Sequence, residues 1–344
     1  MRLAALDLGS NSFHALIADV DRGGALTVVG RAKRMPRIGE GIFRTGEISA
    51  AGHRQAMRAL GVLVPFIEGH RPEMVRAVAT AAVRDASNGR AFVAEVRSRF
   101  GLDVQVISGD EEARLSYAGA RGQLGAELGH ATLFDLGGGS LEAILGDGRR
   151  ILRTASAPLG VLRAVVERPL SDPATPRELR ALEQWARRAV GSFLASADGA
   201  DFGRVILCAG TARAVRSVAR ALGYIAVEGT GANLIRRDTL RLLIGRLSAL
   251  PLAARRTVPG LDPNRADLIV HGAVLLDAIL AGVGVSQARV CDAALREGVI
   301  LEQSRALQTP ARRRAPRRAR AAGWGTRPPS RTATTRAGRA AFAP

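Results

Sequence analysis

The sequence is poor in cysteine, lysine and aromatic residues. Of its 344 residues, two are cysteines and 4% are aromatic, and Lys33 is the only lysine. Cys208 and Cys291 both lie beside apolar runs, and two cysteines supply neither a disulfide framework nor the ligand spacing of a zinc site. We therefore expect both to be buried thiols with no catalytic role.

Long apolar runs are also lacking. No uncharged stretch of 18 apolar residues occurs, and Asp7 interrupts the first apolar segment. A membrane helix needs about 20 such residues, and a signal peptide needs an uninterrupted apolar segment. The sequence thus predicts a cytoplasmic protein that has no membrane partner.

Several catalytic signatures are missing. The sequence has no GxxxxGK[ST] phosphate loop, no GxSxG turn, no HEXXH or HxxxH pair, and no histidine that is followed by aspartate. These absences exclude a P-loop nucleotide hydrolase, a serine hydrolase of the α/β type and the histidine-based metal sites that those patterns mark.

Acidic residues are scarce relative to basic ones. The 50 Lys and Arg residues stand against 31 Asp and Glu, a net charge of +19, and ten arginines without an acidic residue fall within Pro310–Pro344. Residues 309–344 lack hydrophobic periodicity, so we predict a disordered, arginine-rich tail. A basic surface attracts polyanions, and nucleic acid, anionic lipid and polyphosphate all qualify on charge alone.

What the sequence does contain is a repeat. An apolar run ending in Asp-Leu-Gly, a loop of small polar residues and two further runs of strand type occur twice, with DLGSNS at Asp7–Ser12 and DLGGGS at Asp135–Ser140. Segments with helical spacing follow each unit. The pattern predicts an α/β protein with two lobes that face each other across a central cleft.

The repeat also predicts the domain boundaries. We expect a first lobe over residues 1–125 and a second over 126–292, with a last helix at 293–306 that packs back onto the first lobe. Within the second lobe, the spacing predicts one continuous helix over Asn264–Leu280.

The two loops are candidate phosphate sites. Glycine lets backbone amides approach an anion closely, and hydroxyl and amide side chains add donors. The carboxylates of Asp7 and Asp135, directly before the loops, suit a divalent cation. The expected phosphate-binding residues are Gly9, Ser10, Asn11 and Ser12 in one loop and Gly137, Gly138, Gly139 and Ser140 in the other.

The arrangement resembles the actin/hexokinase-like (ribonuclease H-like) phosphotransferase fold, and more specifically the exopolyphosphatase/guanosine pentaphosphate phosphatase family, Ppx/GppA, in a short two-domain form. The segments that carry the resemblance are AALDLGSNSFH (Ala4–His14), RIGEG (Arg37–Gly41), ATAAVRDASN (Ala79–Asn88), ISGDEEARLSY (Ile107–Tyr117) and FDLGGGSLE (Phe134–Glu142), with weaker matches at AGTARA (Ala209–Ala214), PGLDPNRAD (Pro259–Asp267) and LREG (Leu295–Gly298).

The resemblance implies roles for individual residues. It makes Glu112, the second glutamate of ISGDEEAR, the catalytic base, and Arg84 a residue that grips the substrate phosphate. Helical geometry supports Glu112 over Glu111, because Glu112 stands over the small residues Ser116 and Gly119. Glu142 projects to the same sheet face as Ser140 and is expected to complete a site for Mg²⁺, or another divalent cation, with Asp7 and Asp135.

The resulting expectation is an exopolyphosphatase that releases terminal orthophosphate by metal-assisted attack of water. Polyphosphate or guanosine pentaphosphate would be the substrate, with no specific nucleic acid partner and with a homodimer left open. Two alternatives stay open: an ATP-using kinase or ATPase of the same superfold, and a non-catalytic polyphosphate or alarmone sensor.

Overall fold

The computed structural model describes residues 1–195, 201–229 and 231–308, so the predicted tail lies outside the described residues. The chain forms two β-sheets with helices packed around them. The first sheet has the order β3-β2-β1-β4-β5. Its strands are β1 (Arg2–Leu8), β2 (Phe13–Val20), β3 (Leu26–Arg34), β4 (Met74–Ala79) and β5 (Val104–Val106).

The second sheet repeats this plan and extends it. Its order is β10-β11-β9-β6-β7-β8. In both sheets the first three strands are antiparallel and the fourth pairs in parallel with the first. The strands are β6 (Ala131–Leu136), β7 (Leu141–Gly146), β8 (Ile151–Ala157), β9 (Arg204–Cys208), β10 (Leu234–Arg236) and β11 (Gln287–Val290).

The helices follow the strands in the order that the sequence predicts. Those before β6 are α1 (Gly39–Thr45), α2 (Ala50–Gly69), α3 (Ala81–Asp85), α4 (Gly89–Phe100) and α5 (Gly109–Leu124). Those after β8 are α6 (Val161–Glu167), α7 (Pro176–Ala195), α8 (Ala209–Ala221), α9 (Arg237–Ser248), α10 (Leu252–Arg255), α11 (Ile269–Val283) and α12 (Leu295–Gln308).

Strand β1 is almost wholly apolar because both of its faces are covered. Leu6 and Leu8 face the core beneath α2 and α4, whereas Leu3 and Ala5 face the opposite side, where Val299 of α12 packs. A strand buried on both faces has no solvent side and therefore reads as a continuous apolar run. The strand ends at Leu8, which places Asp7 at the mouth of the cleft.

Helix α5 lies between the two sheets. Ala113 and Tyr117 pack against the second sheet, while Leu115 belongs to the core of the first. On its remaining side α5 packs on α12. The two helices are so close that a Cβ on Gly119 or on Gly298 would overlap the backbone of the other helix segment. The side chains at the start of α5 are therefore held between the lobes.

The predicted two-lobed α/β architecture is confirmed, with local corrections. The single helix expected over Asn264–Leu280 is wrong: a 3-10 turn, Pro263–Arg265, precedes α11. Asp262 caps that turn by accepting a hydrogen bond from the Asn264 amide at 3.1 Å. Short elements such as α1 and β10 carry too few residues for a periodic pattern and were not predicted.

The cysteine prediction also has an outcome in the structure. Cys208 and Cys291 are free and buried. In the described part of the chain, no helix combines the length and the apolar character that crossing a membrane requires.

Candidate active site

The two Asp-Leu-Gly loops have the same internal hydrogen bond. The Gly9 amide donates to the Ser12 carbonyl at 3.2 Å, and the Gly137 amide donates to the Ser140 carbonyl at 3.0 Å. Each bond closes the turn between the first two strands of its sheet. The repeated sequence thus folds into a repeated loop, and the remaining loop amides are left for other acceptors.

The loops meet face to face across the cleft. A Cβ on Gly138 would lie 3.1 Å from the Cβ of Asn11, and a Cβ on Gly139 would lie 2.5 Å from the Ser10 hydroxyl. Real Cβ atoms do not approach as closely as 2.5 Å, so a side chain at Gly139 would force its neighbours to shift, and one at Gly138 would be tightly packed. The side chains of Ser10, Asn11 and Ser140 are buried there.

Each loop is fastened by the segment that follows the third strand of its sheet. The Ser10 carbonyl accepts from the Gly39 amide at 2.9 Å, and the Gly137 carbonyl accepts from the Val161 amide at 3.0 Å. RIGEG, at Arg37–Gly41, thus has a structural counterpart just before α6. The repeat extends beyond the three strands that revealed it in the sequence.

Asp7 and Asp135 are buried carboxylates at the ends of β1 and β6. Asp7 Oδ1 is buried without a hydrogen-bond partner, and burial raises the pKa of Asp7 to about 6. Asp135 accepts a 2.6 Å hydrogen bond from the Ser116 hydroxyl. Burial also raises the pKa of Asp135, although the hydrogen bond from Ser116 opposes the shift.

Glu142 lies directly beside Asp135, since the two residues are register partners in β6 and β7. Its carboxylate accepts a hydrogen bond from the Ser156 hydroxyl at 3.0 Å. Burial and then the charge of Asp135 raise the pKa of Glu142 to about 8. Two carboxylates in one buried site repel each other unless a proton or a cation intervenes.

Glu112 projects from the first turn of α5 into the cleft, and its side chain is 12% exposed. The Ser108 side chain caps this turn by accepting from the Glu111 amide at 3.1 Å. Burial, followed by the charges of Glu142 and Asp135, raises the pKa of Glu112 well above the usual glutamate value. A raised pKa is typical of a carboxyl group that acts as a general acid or base.

Arg84 is the nearest basic partner of Glu112. It donates to the Glu112 carboxylate at 3.5 Å and to the Ile107 carbonyl at 3.0 Å. Glu111 instead pairs with Arg114 at 2.7 Å, outside the cleft. The two neighbouring glutamates thus occupy different environments, and only Glu112 lines the cavity between the loops.

The carboxylates of Asp7, Asp135 and Glu142 can supply part of the coordination shell of a small divalent cation. Among the described residues, no three His, Cys, Asp or Glu side chains come together closely enough to hold a metal ion by themselves. Mg²⁺ commonly uses one or two carboxylates and completes its shell with water and substrate phosphate oxygens. The unpartnered Asp7 oxygen and the crowded pair of Asp135 and Glu142 fit that mode of binding.

Three arginines that were not assigned from the sequence line the same cavity: Arg213, Arg265 and Arg296. Burial lowers the pKa of Arg213, and burial with repulsion from Arg213 lowers the pKa of Arg265 to about 10. Arg265 lies directly against Gly210, where a Cβ would overlap its guanidinium. Partly desolvated arginines that repel each other form a site that an anion stabilises.

The sequence pointed to these three arginines only weakly. They fall within AGTARA, PGLDPNRAD and LREG, the three less specific matches, and nothing separates them by type from the chain's many other arginines. His14 was also missed: its Nε2 atom lies 2.8 Å from the Ser12 hydroxyl. Burial lowers the pKa of His14, so the ring is neutral and can orient that hydroxyl.

Ion pairs connect the two sides of the cleft. Lys33 pairs with Asp262 at 2.8 Å, and Arg163 pairs with Asp85 at 3.0 Å. Arg163 also donates to the Gly139 carbonyl at 3.1 Å, and its guanidinium stacks over the ring of Phe43 at 4.2 Å. These contacts hold the loops in apposition.

Two repeated sheets, whose glycine loops meet beside buried carboxylate groups, define a two-lobed α/β protein with its candidate site between the lobes. The chain belongs to the Ppx/GppA phosphatase family, whose family model matches residues 16–306.

Named relatives match over most of their length. Exopolyphosphatase 1 of Mycobacterium tuberculosis strain H37Rv is 31% identical over 306 residues, which cover 88% of each chain. Exopolyphosphatase 2 of the same strain is 31% identical over 315 residues, covering 87% of this chain and 98% of that relative.

Solved structures share the fold. The crystal structure of an exopolyphosphatase from Cytophaga hutchinsonii matches with a TM-score of 0.79 at 24% identity, covering 89% of this chain and 98% of that one. The Aquifex aeolicus member of the Ppx/GppA family matches with a TM-score of 0.72, also at 24% identity and over the same shares of the two chains.

Proposed function

We propose that this protein is an exopolyphosphatase that releases terminal orthophosphate from inorganic polyphosphate, with guanosine pentaphosphate as a further substrate. The observation that carries the proposal is the position of Glu112. It is a largely buried carboxylate with a raised pKa, and it lines the same cavity as the two glycine loops and the three arginines. The similarity to named exopolyphosphatases supports polyphosphate as the substrate.

In the proposed mechanism the terminal phosphate lies against the two loops. Loop amides and the hydroxyls of Ser10 and Ser140 donate to its oxygens. Glu112 orients a water molecule and takes its proton at the carboxylate, while Arg84 donates to the oxygens that gain charge. Positioning and charge stabilisation of this kind supply most of the catalysis in phosphoryl transfer.

The arginines bind the part of the substrate that becomes the leaving group. Attack in line with the scissile bond places water and the leaving oxygen on opposite sides of the phosphorus. If Glu112 holds the water, the remaining phosphates extend toward Arg213, Arg265 and Arg296. Guanidinium groups bind phosphate oxygens in pairs and keep their charge at any physiological pH.

A divalent cation, for which we propose Mg²⁺, would be held by one or two of the carboxylates of Asp7, Asp135 and Glu142 together with water and substrate oxygens, and would supply further neutralisation of phosphate charge. Replacing Asp7 or Asp135 by Ala should raise the Mg²⁺ concentration needed for half-maximal rate. Binding of Mg²⁺ to the free protein, measured by calorimetry, should weaken in parallel. Variants that match the unmodified protein in both measurements would contradict the assignment.

The kinase or ATPase alternative is less well supported by the cavity. AGTARA resembles the segment that holds adenosine in ATP-using relatives of this superfold, but here the guanidinium of Arg265 lies against Gly210 of that segment. A buried cation suits a phosphate better than a neutral purine. We therefore favour a substrate whose phosphate groups, and not a purine base, occupy this part of the cavity.

Release of orthophosphate by the purified protein tests the proposal. Polyphosphate, guanosine pentaphosphate and ATP are compared at equal phosphate concentration with Mg²⁺ present. We expect release from polyphosphate to be fastest and release from ATP to be slowest. Release from ATP alone would favour the ATPase alternative, and binding of polyphosphate without release would favour a sensor.

A further inference from the structure

A second cavity adjoins the Gly137–Ser140 loop. It is a notch of about 270 Å³, several times the roughly 30 Å³ that one water molecule takes in the liquid. Its lining comes from both lobes and consists of Ala81, Arg84, Asp85, Gly139, Ser140, Ser156, Ala157 and Pro158. Gly139 and Ser140 also line the main cavity, so the two cavities adjoin at this loop.

Hydrogen bonds connect the lining of this notch to two carboxylates of the candidate site. Glu112 lines the main cavity, whereas Arg84, which donates to it at 3.5 Å, lines the notch. Glu142 is 1% exposed, and its donor Ser156, at 3.0 Å, lines the notch as well. Two donor side chains therefore connect the notch to the groups beside the reacting phosphate.

The lining of the notch suits a small anion. Arg84 brings a guanidinium, and the hydroxyls of Ser140 and Ser156 are further donors. Asp85, the acidic residue of the lining, is neutralised by Arg84 at 3.7 Å and by Arg163 at 3.0 Å. The residues at the rim, such as Pro158, are exposed and leave the notch open to solvent.

We propose that this notch is a separate port through which water enters and orthophosphate leaves, while the polymer stays on the side of the three arginines. The inference rests on the proposed function. In-line attack puts the water opposite the leaving chain, on the side of Glu112 and Arg84. A polymer bound to the arginines blocks the way out through the main cavity, so a product released past Arg84 need not displace it.

A bulky label at the rim tests this port. Pro158→Cys adds an exposed thiol, and a large maleimide reagent reacts there selectively because Cys208 and Cys291 are buried. The matched control is Leu242→Cys, with the same label, on the exposed face of α9, where the leucine is 59% exposed. The full-length protein is used throughout, with long-chain polyphosphate as the substrate.

The labelled Pro158→Cys protein should form one orthophosphate per site in a fast burst and then turn over about tenfold or more slowly, as expected when product release limits the rate. Its KM for long polyphosphate should not rise, and the labelled control should behave like the unmodified protein. An unchanged kcat without a burst would overturn the port. So would a raised KM at unchanged kcat, which would mean that the polymer itself passes through the notch. If the unlabelled protein releases no orthophosphate, that result contradicts the proposed function. The port rests on that function and is then contradicted as well.

Discussion

Ser116 donates a 2.6 Å hydrogen bond to Asp135 from one turn beyond Glu112 on the same helix. Helix α5 thereby places the carboxylate that we propose as the catalytic base and the hydroxyl partner of a second carboxylate on one face. Ser116 is fully buried, so no water can take its place without rearrangement. The bond links the position of the Glu112 helix to the position of the second Asp-Leu-Gly loop.

Ser116→Ala should lower both stability and activity. Leaving a buried acceptor unpaired costs about 1–3 kcal/mol, and Asp135 is then free to change its orientation. Urea unfolding and phosphate release from polyphosphate measure the two effects. Ser304→Ala, at another buried serine in α12, is the control and should lower kcat far less. Equal kcat losses in both variants would show that Ser116 has no particular role at the site.

Gly139→Ala should reduce activity sharply because the added Cβ would lie 2.5 Å from the Ser10 hydroxyl and push the loops apart. Gly137→Ala is the matched control in the same loop, since its Cβ would meet nothing closer than 3.4 Å. We expect a loss of about a hundredfold in kcat/KM for Gly139→Ala, in line with the effect of misplacing reacting groups by 1 Å, and a much smaller loss for Gly137→Ala. Similar kinetics for the two would contradict the need for contact between the loops.

The protein without metal should lose stability as pH rises. Glu142 has a pKa of about 8 in the folded protein, raised from 4.5, so the folded state binds more protons than the unfolded state between these values. Stability therefore falls across that interval, and Asp7, with a pKa of about 6, adds to the fall. Glu142→Gln should flatten the dependence of the unfolding free energy on pH and raise the melting temperature at pH 8. A metal-free protein whose stability does not change between pH 5 and pH 8 would contradict the raised pKa values.

Arg213→Met should weaken substrate binding without destabilising the fold. Arg213 is partly desolvated and repelled by Arg296, so its removal relieves a cost in the free protein while it removes a proposed phosphate donor. We expect KM for polyphosphate to rise about tenfold or more, as for the loss of a charged hydrogen bond, with an unchanged or higher melting temperature. Arg188→Met, on the exposed face of α7, is the control. Equal KM values for the two variants would remove Arg213 from the binding site.

The sequence predicted the parts of this site that depend on local pattern. The two Asp-Leu-Gly loops follow from the repeated apolar runs and turn composition, and the small residues Ser116 and Gly119 at helical spacing distinguished Glu112 from Glu111. Arg213 and Arg265 could not be predicted in this way. They reach the cavity only because segments far apart in the chain converge there, and their burial distinguishes them from surface arginines only once the fold is known.

The same limit applies to the contacts between the lobes. Strand patterns indicated two sheets but not that Gly138 and Gly139 would meet Asn11 and Ser10. The notch beside Ser156 likewise depends on how β8 lies against the start of α5, which no periodicity encodes. The approach of Gly119 and Gly298 is a further case, because each glycine is required by the other helix and not by its own.

The rate of Glu112→Gln tests the central claim most directly. The amide keeps the shape of the side chain but cannot accept a proton, and loss of a general base costs about a hundredfold or more. Glu111→Gln is the matched control, since that neighbour pairs with Arg114 outside the cleft. We predict that kcat for polyphosphate falls at least about a hundredfold in Glu112→Gln, while polyphosphate binding and the kcat of Glu111→Gln stay close to those of the unmodified protein. A Glu112→Gln protein that keeps more than about a tenth of the original kcat would contradict the assignment of Glu112 as the catalytic base.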